Sequence, residues 1–162
     1  VDRWWVLNSS PIIVLAKTSL IWIVRELSTD FVVPAAVARE INHGSEWDPA
    51  KRWLDEEGRE YVRDIGDVDS IVLPWKLGRG ESEVISWASR HPRYEAIMDD
   101  RAARRCAAAL KIQVRGTIGV LLAAKKHGLI STVGPVLGQL QHSGLRISAP
   151  LLDKALRLAE ED

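Results

Sequence analysis

The strongest constraint on this chain lies near its start, where Trp4, Trp5, Val6 and Leu7 run directly into Asn8, Ser9, Ser10 and Pro11. Four large apolar residues without polar alternation describe a strand covered on both faces. The small polar cluster and proline describe its passage into a helix. Such a strand requires helices on both sides of its sheet, the layering of α/β proteins. In open α/β sheets ligands bind beyond the carboxyl ends of the strands, so Asn8, Ser9 and Ser10 stand where chemistry is expected.

The remaining sequence supplies the other elements. Residues 11–16 read as a short helix and 19–27 as a second, with Leu20, Ile23, Val24 and Leu27 at helical spacing. Phe31, Val32 and Val33 form a strand, and Pro34 opens a helix over 35–42 that His43 and Gly44 end. Asp48 reads as an N-cap, with Pro49 starting a helix that Gly58 stops. Residues 61–63 suit a short strand and 64–79 a loop, in which residues 70–73 suit one turn of helix or strand. A helix from the Gly78-Arg79-Gly80-Glu81-Ser82-Glu83 run reaches Arg90, a strand over 94–98 ends in Asp99-Asp100, and a helix covers 101–110. A strand at 112–114, a helix capped by Thr117 and running to His127, and helices over 133–142 and 150–160 complete the chain, with 145–147 extended. Strands alternate with helices throughout, which predicts a mostly parallel sheet with right-handed crossovers. One domain over residues 1–162 is expected, with 131–162 as a C-terminal helical segment.

The totals narrow the function classes without choosing one. Lys plus Arg equal Asp plus Glu at 22 each, so nucleic-acid binding would have to come from local clusters. No apolar run reaches the roughly 18 residues that span a bilayer, and no secretory signal is present, so a soluble cytoplasmic protein without a membrane partner is expected. Cys106 stands alone in an alanine-rich helical run and reads as a core residue. The seven Trp mostly occupy apolar positions, where core or dimer packing is the simpler use and base stacking the alternative.

Three groups of acids share one placement. Glu40 lies late in the helix after the second strand, Glu83 or Glu81 starts a helix after a glycine-flanked turn, and Asp99-Asp100 closes an apolar strand. Carboxylates gathered at one sheet edge repel one another unless a cation neutralises them, and hard oxygen donors without His or Cys suit Mg2+ or Mn2+. Each also has a structural explanation: Glu40 as the polar edge of an amphipathic helix, Glu81 and Glu83 as partners of a helix dipole. Glu81 and Glu83 stand roughly 200° apart on a helix, so both face one site only if Glu81 is still in the turn. Two acids ending a buried strand are harder to explain structurally.

Other patterns are weaker. His43, His91, His127 and His142 lack metal-ligand spacing and suit caps or the surface. Ser9-Ser10 lacks a nucleophile motif, and Gly78-x-Gly80 lacks the rest of a nucleotide-binding fingerprint. Arg101, Arg104, Arg105, Lys111 and Arg115 suit phosphate contacts or a solvated helix face.

Taken in order, several pieces resemble a PIN domain, the metal-dependent nuclease fold of VapC-like toxins, and more narrowly a prokaryotic PIN-like branch of unknown function. They are Val6-Leu7-Asn8-Ser9-Ser10-Pro11-Ile12-Ile13-Val14-Leu15-Ala16-Lys17, Val33-Pro34-Ala35-Ala36-Val37-Ala38-Arg39-Glu40-Ile41, Gly80-Glu81-Ser82-Glu83-Val84-Ile85, Ile97-Met98-Asp99-Asp100-Arg101-Ala102-Ala103-Arg104 and Arg115-Gly116-Thr117-Ile118-Gly119-Val120-Leu121. The resemblance implies a three-layer α/β/α sandwich whose acidic pocket holds Mg2+ or Mn2+ and hydrolyses RNA. Carried over residue by residue, the metal ligands are Asn8, Glu40, Glu83 and Asp100, with Glu81 and Asp99 as near alternatives to the last two. Glu40, Glu83 and Asp100 are the implied catalytic set and Ser10 and Thr117 support it; the local basic run makes Arg101, Arg104 and Arg105 the expected phosphate contacts of such a site. The implied partners are RNA, an antitoxin protein and a second copy of the chain. Asn8 departs from the pattern, because an amide oxygen brings no charge where an acid is usual. That leaves a second reading, a catalytically weak PIN-like module for binding or assembly.

Overall fold

Trp5, Val6 and Leu7 are buried and, with Trp4, form strand β1 (Trp4–Leu7) at the centre of a five-stranded sheet. The computed structural model describes residues 2–161. The other strands are β2 (Asp30–Pro34), β3 (Val62–Arg63), β4 (Tyr94–Ile97) and β5 (Val114–Arg115), all parallel, in the order β3-β2-β1-β4-β5. The chain builds outward from β1 to β3, then returns to the other side of β1 for β4 and β5. The order therefore reverses between β1 and β4, the point at whose carboxyl ends an α/β sheet forms its crevice.

The helices are α1 (Ser9–Lys17), α2 (Trp22–Leu27), α3 (Ala35–Asn42), α4 (Pro49–Glu56), α5 (Arg79–Arg90), α6 (Arg101–Ala109), α7 (Thr117–Lys126), α8 (Gly134–His142) and α9 (Ala149–Leu158). Helix α3 packs on α1, α4 and α5, whereas α2 and α9 pack on α7. The result is a three-layer α/β/α sandwich. Among the described residues, no helix is long and apolar enough to cross a membrane.

Local chemistry explains where the elements depart from the sequence reading. The second helix starts at Trp22 rather than residue 19, because Ser19 adopts a left-handed φ of 60° and Leu20 N–H returns to Leu15 O at 2.7 Å, closing α1. The fifth strand lies at Val114–Arg115 rather than 112–114. Lys111 is left-handed at φ 59°, and Ile112 N–H donates to Ala107 O at 2.8 Å, so Ile112 belongs to the closure of α6. Gly116, not Thr117, is the N-cap of α7, since Thr117 spends its hydroxyl on Asp99. Residues 145–147 form no strand.

Leu137, Leu140 and Ala155 are fully or almost fully buried in the core, so α8 and α9 complete the sandwich. Glu161 anchors them. Its carboxylate accepts from Lys125 Nζ at 2.9 Å and from the backbone N–H groups of Val133 and Gly134 at 2.8 and 3.1 Å, which holds its pKa down at about 2.

The amino-terminal ends of β1 and β4 carry an aromatic cluster. Trp4 meets Tyr94 edge to face at 5.6 Å between centroids, Arg93 lies 4.2 Å above the Trp4 ring, and Trp87 stacks on His91 at 4.0 Å. Tyr94 donates its hydroxyl to Asp30 at 2.9 Å. Burial, and then the Asp30 carboxylate, push this phenol up to about 12. Not every Trp is packed in this way: Trp47 is 80% exposed, and Trp22 and Trp75 are also partly open to solvent.

Candidate active site

Asn8 leaves β1 at the crevice, and its backbone N–H donates to Ile97 O at 3.0 Å across the β1–β4 junction. Its side chain is thus placed directly by the β1–β4 pairing. It is 1% exposed, and its Oδ1 has no hydrogen-bond partner among the described residues. A buried acceptor left unpaired costs about 1–3 kcal/mol, so this oxygen is poised to accept a donor or a cation.

Helix α3 brings the second oxygen. Its Ala36 lies against Glu83 while Glu40, one turn later, lies against Gly80, so α3 and α5 run antiparallel. Ser9 Oγ donates to Glu40 Oε2 at 2.7 Å, which leaves Oε1 turned toward α5. A Cβ on Gly80 would collide with Glu40 Oε1 and stand 3.5 Å from Asn8 Oδ1. The space kept open by Gly80 is therefore bounded by one carboxylate oxygen and one unpaired amide oxygen. Glu40 is solvent-exposed, so the space is reached from outside.

The other acids are engaged elsewhere. Glu83 is 3% exposed; its Oε1 accepts from Ala36 N–H at 3.0 Å and its Oε2 from Arg79 Nε at 2.8 Å, with Arg39 Nη2 at 4.0 Å. Pro34, the N-cap of α3, offers no side-chain cap, so Glu83 supplies one from α5. Glu81 curls back over the start of its own helix, where a Cβ on Gly78 would lie 2.6 Å from its Oε2. Asp99 accepts from Thr117 N–H at 2.8 Å and Thr117 Oγ1 at 2.6 Å, anchoring the start of α7 to the end of β4. Asp100 is exposed and caps α6, accepting from Ala103 N–H at 2.9 Å. Ser10 makes no side-chain hydrogen bond among the described residues. Arg101, Arg104 and Arg105 line a groove beside β5.

Among the described residues, no three of His, Cys, Asp and Glu come together as a group that could hold a metal ion. Asn8 Oδ1 and Glu40 Oε1 nevertheless come together as two hard oxygens beside Gly80. That donor set suits Mg2+, which is commonly bound through one or two carboxylates, water and substrate phosphate. A cation here would depend on oxygens from outside the protein to fill its shell.

Sequence reasoning passed over Ser9 as an orienting group and Gly80 as the residue that clears the space. Gly80 did leave a signal: a glycine inside the first turn of a helix costs about 1 kcal/mol relative to Ala, which marks a close approach. The hydrogen bond from Ser9 to Glu40 left none, since it depends on how α3 packs against α1.

A family profile described as a PIN domain matches residues 4–161. No curated protein and no solved structure matches the chain.

Proposed function

The chain belongs to the PIN-domain family, whose members are generally nucleases, and from that premise we propose that it is a Mg2+- or Mn2+-dependent ribonuclease. The observation that carries this reading is the unpaired, buried Asn8 Oδ1 facing Glu40 across the Gly80 gap, at the crevice where the strand order reverses. An ion held by Asn8 and Glu40 would supply positive charge to a phosphodiester and acidify a bound water. Glu40 would hold the ion through Oε1, and the Ser9 hydroxyl, donating to Oε2, fixes the orientation of that carboxylate. Asn8 contributes an oxygen without charge, so the site binds metal weakly and gains affinity when substrate phosphate joins the shell. Glu83, Asp99 and Asp100 hold the starts of α3, α7 and α6. A cytoplasmic toxin paired with an antitoxin, acting as a homodimer, is the setting that the family resemblance suggests.

The test is cleavage of a fluorescent single-stranded RNA with Mn2+ by the wild type, Glu40→Gln and Asn8→Asp. Loss of cleavage in Glu40→Gln and a gain in Asn8→Asp, each matched by Mn2+ affinity in calorimetry, is the expected result. Equal cleavage by Glu40→Gln and wild type would sink the enzymatic reading.

A second reading, a PIN-fold module that binds without cutting, draws on the commitment of Glu83, Asp99 and Asp100 to protein hydrogen bonds. Tight binding of uncut RNA with no response to Mn2+ would favour it.

A further inference from the structure

The exposed edge of the sheet holds a second concavity, of about 740 Å3, that neither the proposed cleavage site nor its metal uses. One wall is a face of α6: Arg101, Arg104, Arg105 and Ala108, at the spacing i, i+3, i+4, i+7. The other is a face of α9 with the same spacing: Leu151, Lys154, Ala155 and Leu158. Each runs two helical turns, about 10 Å. Between them Val114 of β5 and Ile118 and Leu122 of α7 make an aliphatic floor.

Two properties of this groove specify an occupant. The first is unspent positive charge. Among the described residues Arg101, Arg105, Arg146 and Lys154 make no ion pair, although all four line the cavity. The two acids in the lining are already engaged, Glu95 by Arg115 and Trp5, and Asp99 by Thr117. The second is apolar surface left in water: Leu151 is 42% exposed and Leu158 64%. Two helix faces separated by an aliphatic floor present the ridges and grooves that a third helix fills. RNA fits poorly, because no aromatic side chain lines the groove to stack a base, and aliphatic side chains would face its phosphates. A second strand fits poorly too, since β5 offers only Val114–Arg115 as a template.

We propose that this groove docks an acidic amphipathic helix from a different protein, with its apolar face on α7 and α9 and its carboxylates against the α6 arginines. The docking does not depend on RNA cleavage, and a protein inactive on RNA would still show it. Covering Leu151 and Leu158 supplies most of the binding, and the arginines set partner and orientation.

The experiment uses the full chain and a helix-constrained, fluorescein-labelled peptide of about 15 residues, long enough for four turns. The peptide carries Leu at i, i+3, i+4 and i+7 with Glu flanking them, and a companion replaces every Glu by Lys. Fluorescence anisotropy is expected to show the Glu peptide binding at least about tenfold tighter than the Lys peptide, the effect of two or more charge pairs. Leu158→Asp, and separately the pair Arg101→Glu with Arg105→Glu, should each weaken the Glu peptide by about tenfold. Circular dichroism melting confirms that both variants are folded. Equal binding of the two peptides, no binding, or binding indifferent to both variants overturns the proposal. So does an oligouridylate that binds in place of the peptide and is lost in the arginine variant. Self-association of the chain that Leu158→Asp abolishes would assign the groove to a second copy instead.

Discussion

At the amino-terminal ends of β1 and β4, Tyr94 is hydrogen-bonded to Asp30, Trp4 and Trp87 pack against Tyr94, and Arg93 covers Trp4. At the carboxyl ends of the same two strands, Asn8 and Glu40 face a gap that Gly80 holds open. Both ends contain buried polar atoms without partners, Trp4 Nε1 and Trp87 Nε1 at one and Asn8 Oδ1 at the other. The consequences differ. An indole N–H is one polar atom on a ring system that removes some 150–250 Å2 of surface from water, worth several kcal/mol, so its lost hydrogen bond of about 1–3 kcal/mol is outweighed. Asn8 carries a polar amide on a single methylene, and nothing comparable offsets its unpaired oxygen. The aromatic end is built for stability, and the Asn8 end keeps an unmet demand that a ligand can satisfy.

The sharpest way to break this contrast is Gly80→Ala. The new Cβ displaces Glu40 Oε1, the free end of a flexible side chain, so the fold absorbs it and helix propensity offsets any strain by up to about 1 kcal/mol. Cleavage should fall by about 100-fold, the scale of losing one aligned oxygen at a reacting centre, with the denaturant midpoint unchanged. A large loss of stability with activity intact would erase the distinction between the two ends.

Glu83 tests where function stops and structure begins. Glu83→Ala strips the acceptor from Ala36 N–H in a buried position and should cost about 2–3 kcal/mol in urea unfolding. Glu83→Gln keeps an acceptor and should cost less than about 1 kcal/mol. If Glu83 is also a metal ligand, Glu83→Gln weakens Mn2+ binding; if it serves α3 alone, Mn2+ binding is unchanged.

The smallest effect belongs to the aromatic end. Tyr94→Phe removes one charge-assisted hydrogen bond, about 1.5 kcal/mol of stability, and leaves cleavage untouched. Its pH dependence has a fixed sign. The folded phenol titrates at about 12 against an ordinary 10.0, so the native state holds this proton more tightly than the unfolded chain. The stabilisation is complete below pH 10 and is lost as pH rises through 12. Denaturant midpoints between pH 8 and 12 should fall more steeply for the wild type than for Tyr94→Phe.

The elements of this fold were legible because their signals are local. Apolar runs, Pro34 and Pro49 at helix starts, and the Asp48 cap each act within a few residues, and Asp48 does accept from Ala50 N–H at 2.9 Å. The exceptions were equally local but conformational: Ser19 and Lys111 turn left-handed, which no residue-type signal announced. Asp99 and Asp100 stand side by side in sequence as alternative ligands, and adjacent residues after a strand diverge, one toward Thr117 and one onto α6. Ser9 and Gly80 were passed over because each acts through Glu40, from 31 residues away in the case of Ser9.

The amino-acid sequence by itself determined that β1 is buried on both faces, that the sheet is parallel and layered by helices, and that polar residues leave β1 at a strand end. These follow from hydrophobic pattern and local backbone preference. Only the tertiary structure decided which oxygens meet. The reversal of strand order puts Asn8 at a crevice, and the antiparallel packing of α3 on α5 brings Glu40 to it while turning Glu83 into a helix cap. The physical reason is that a carboxylate's role depends on which donors lie within about 3 Å of it, and that distance is set by how helices pack across the sheet.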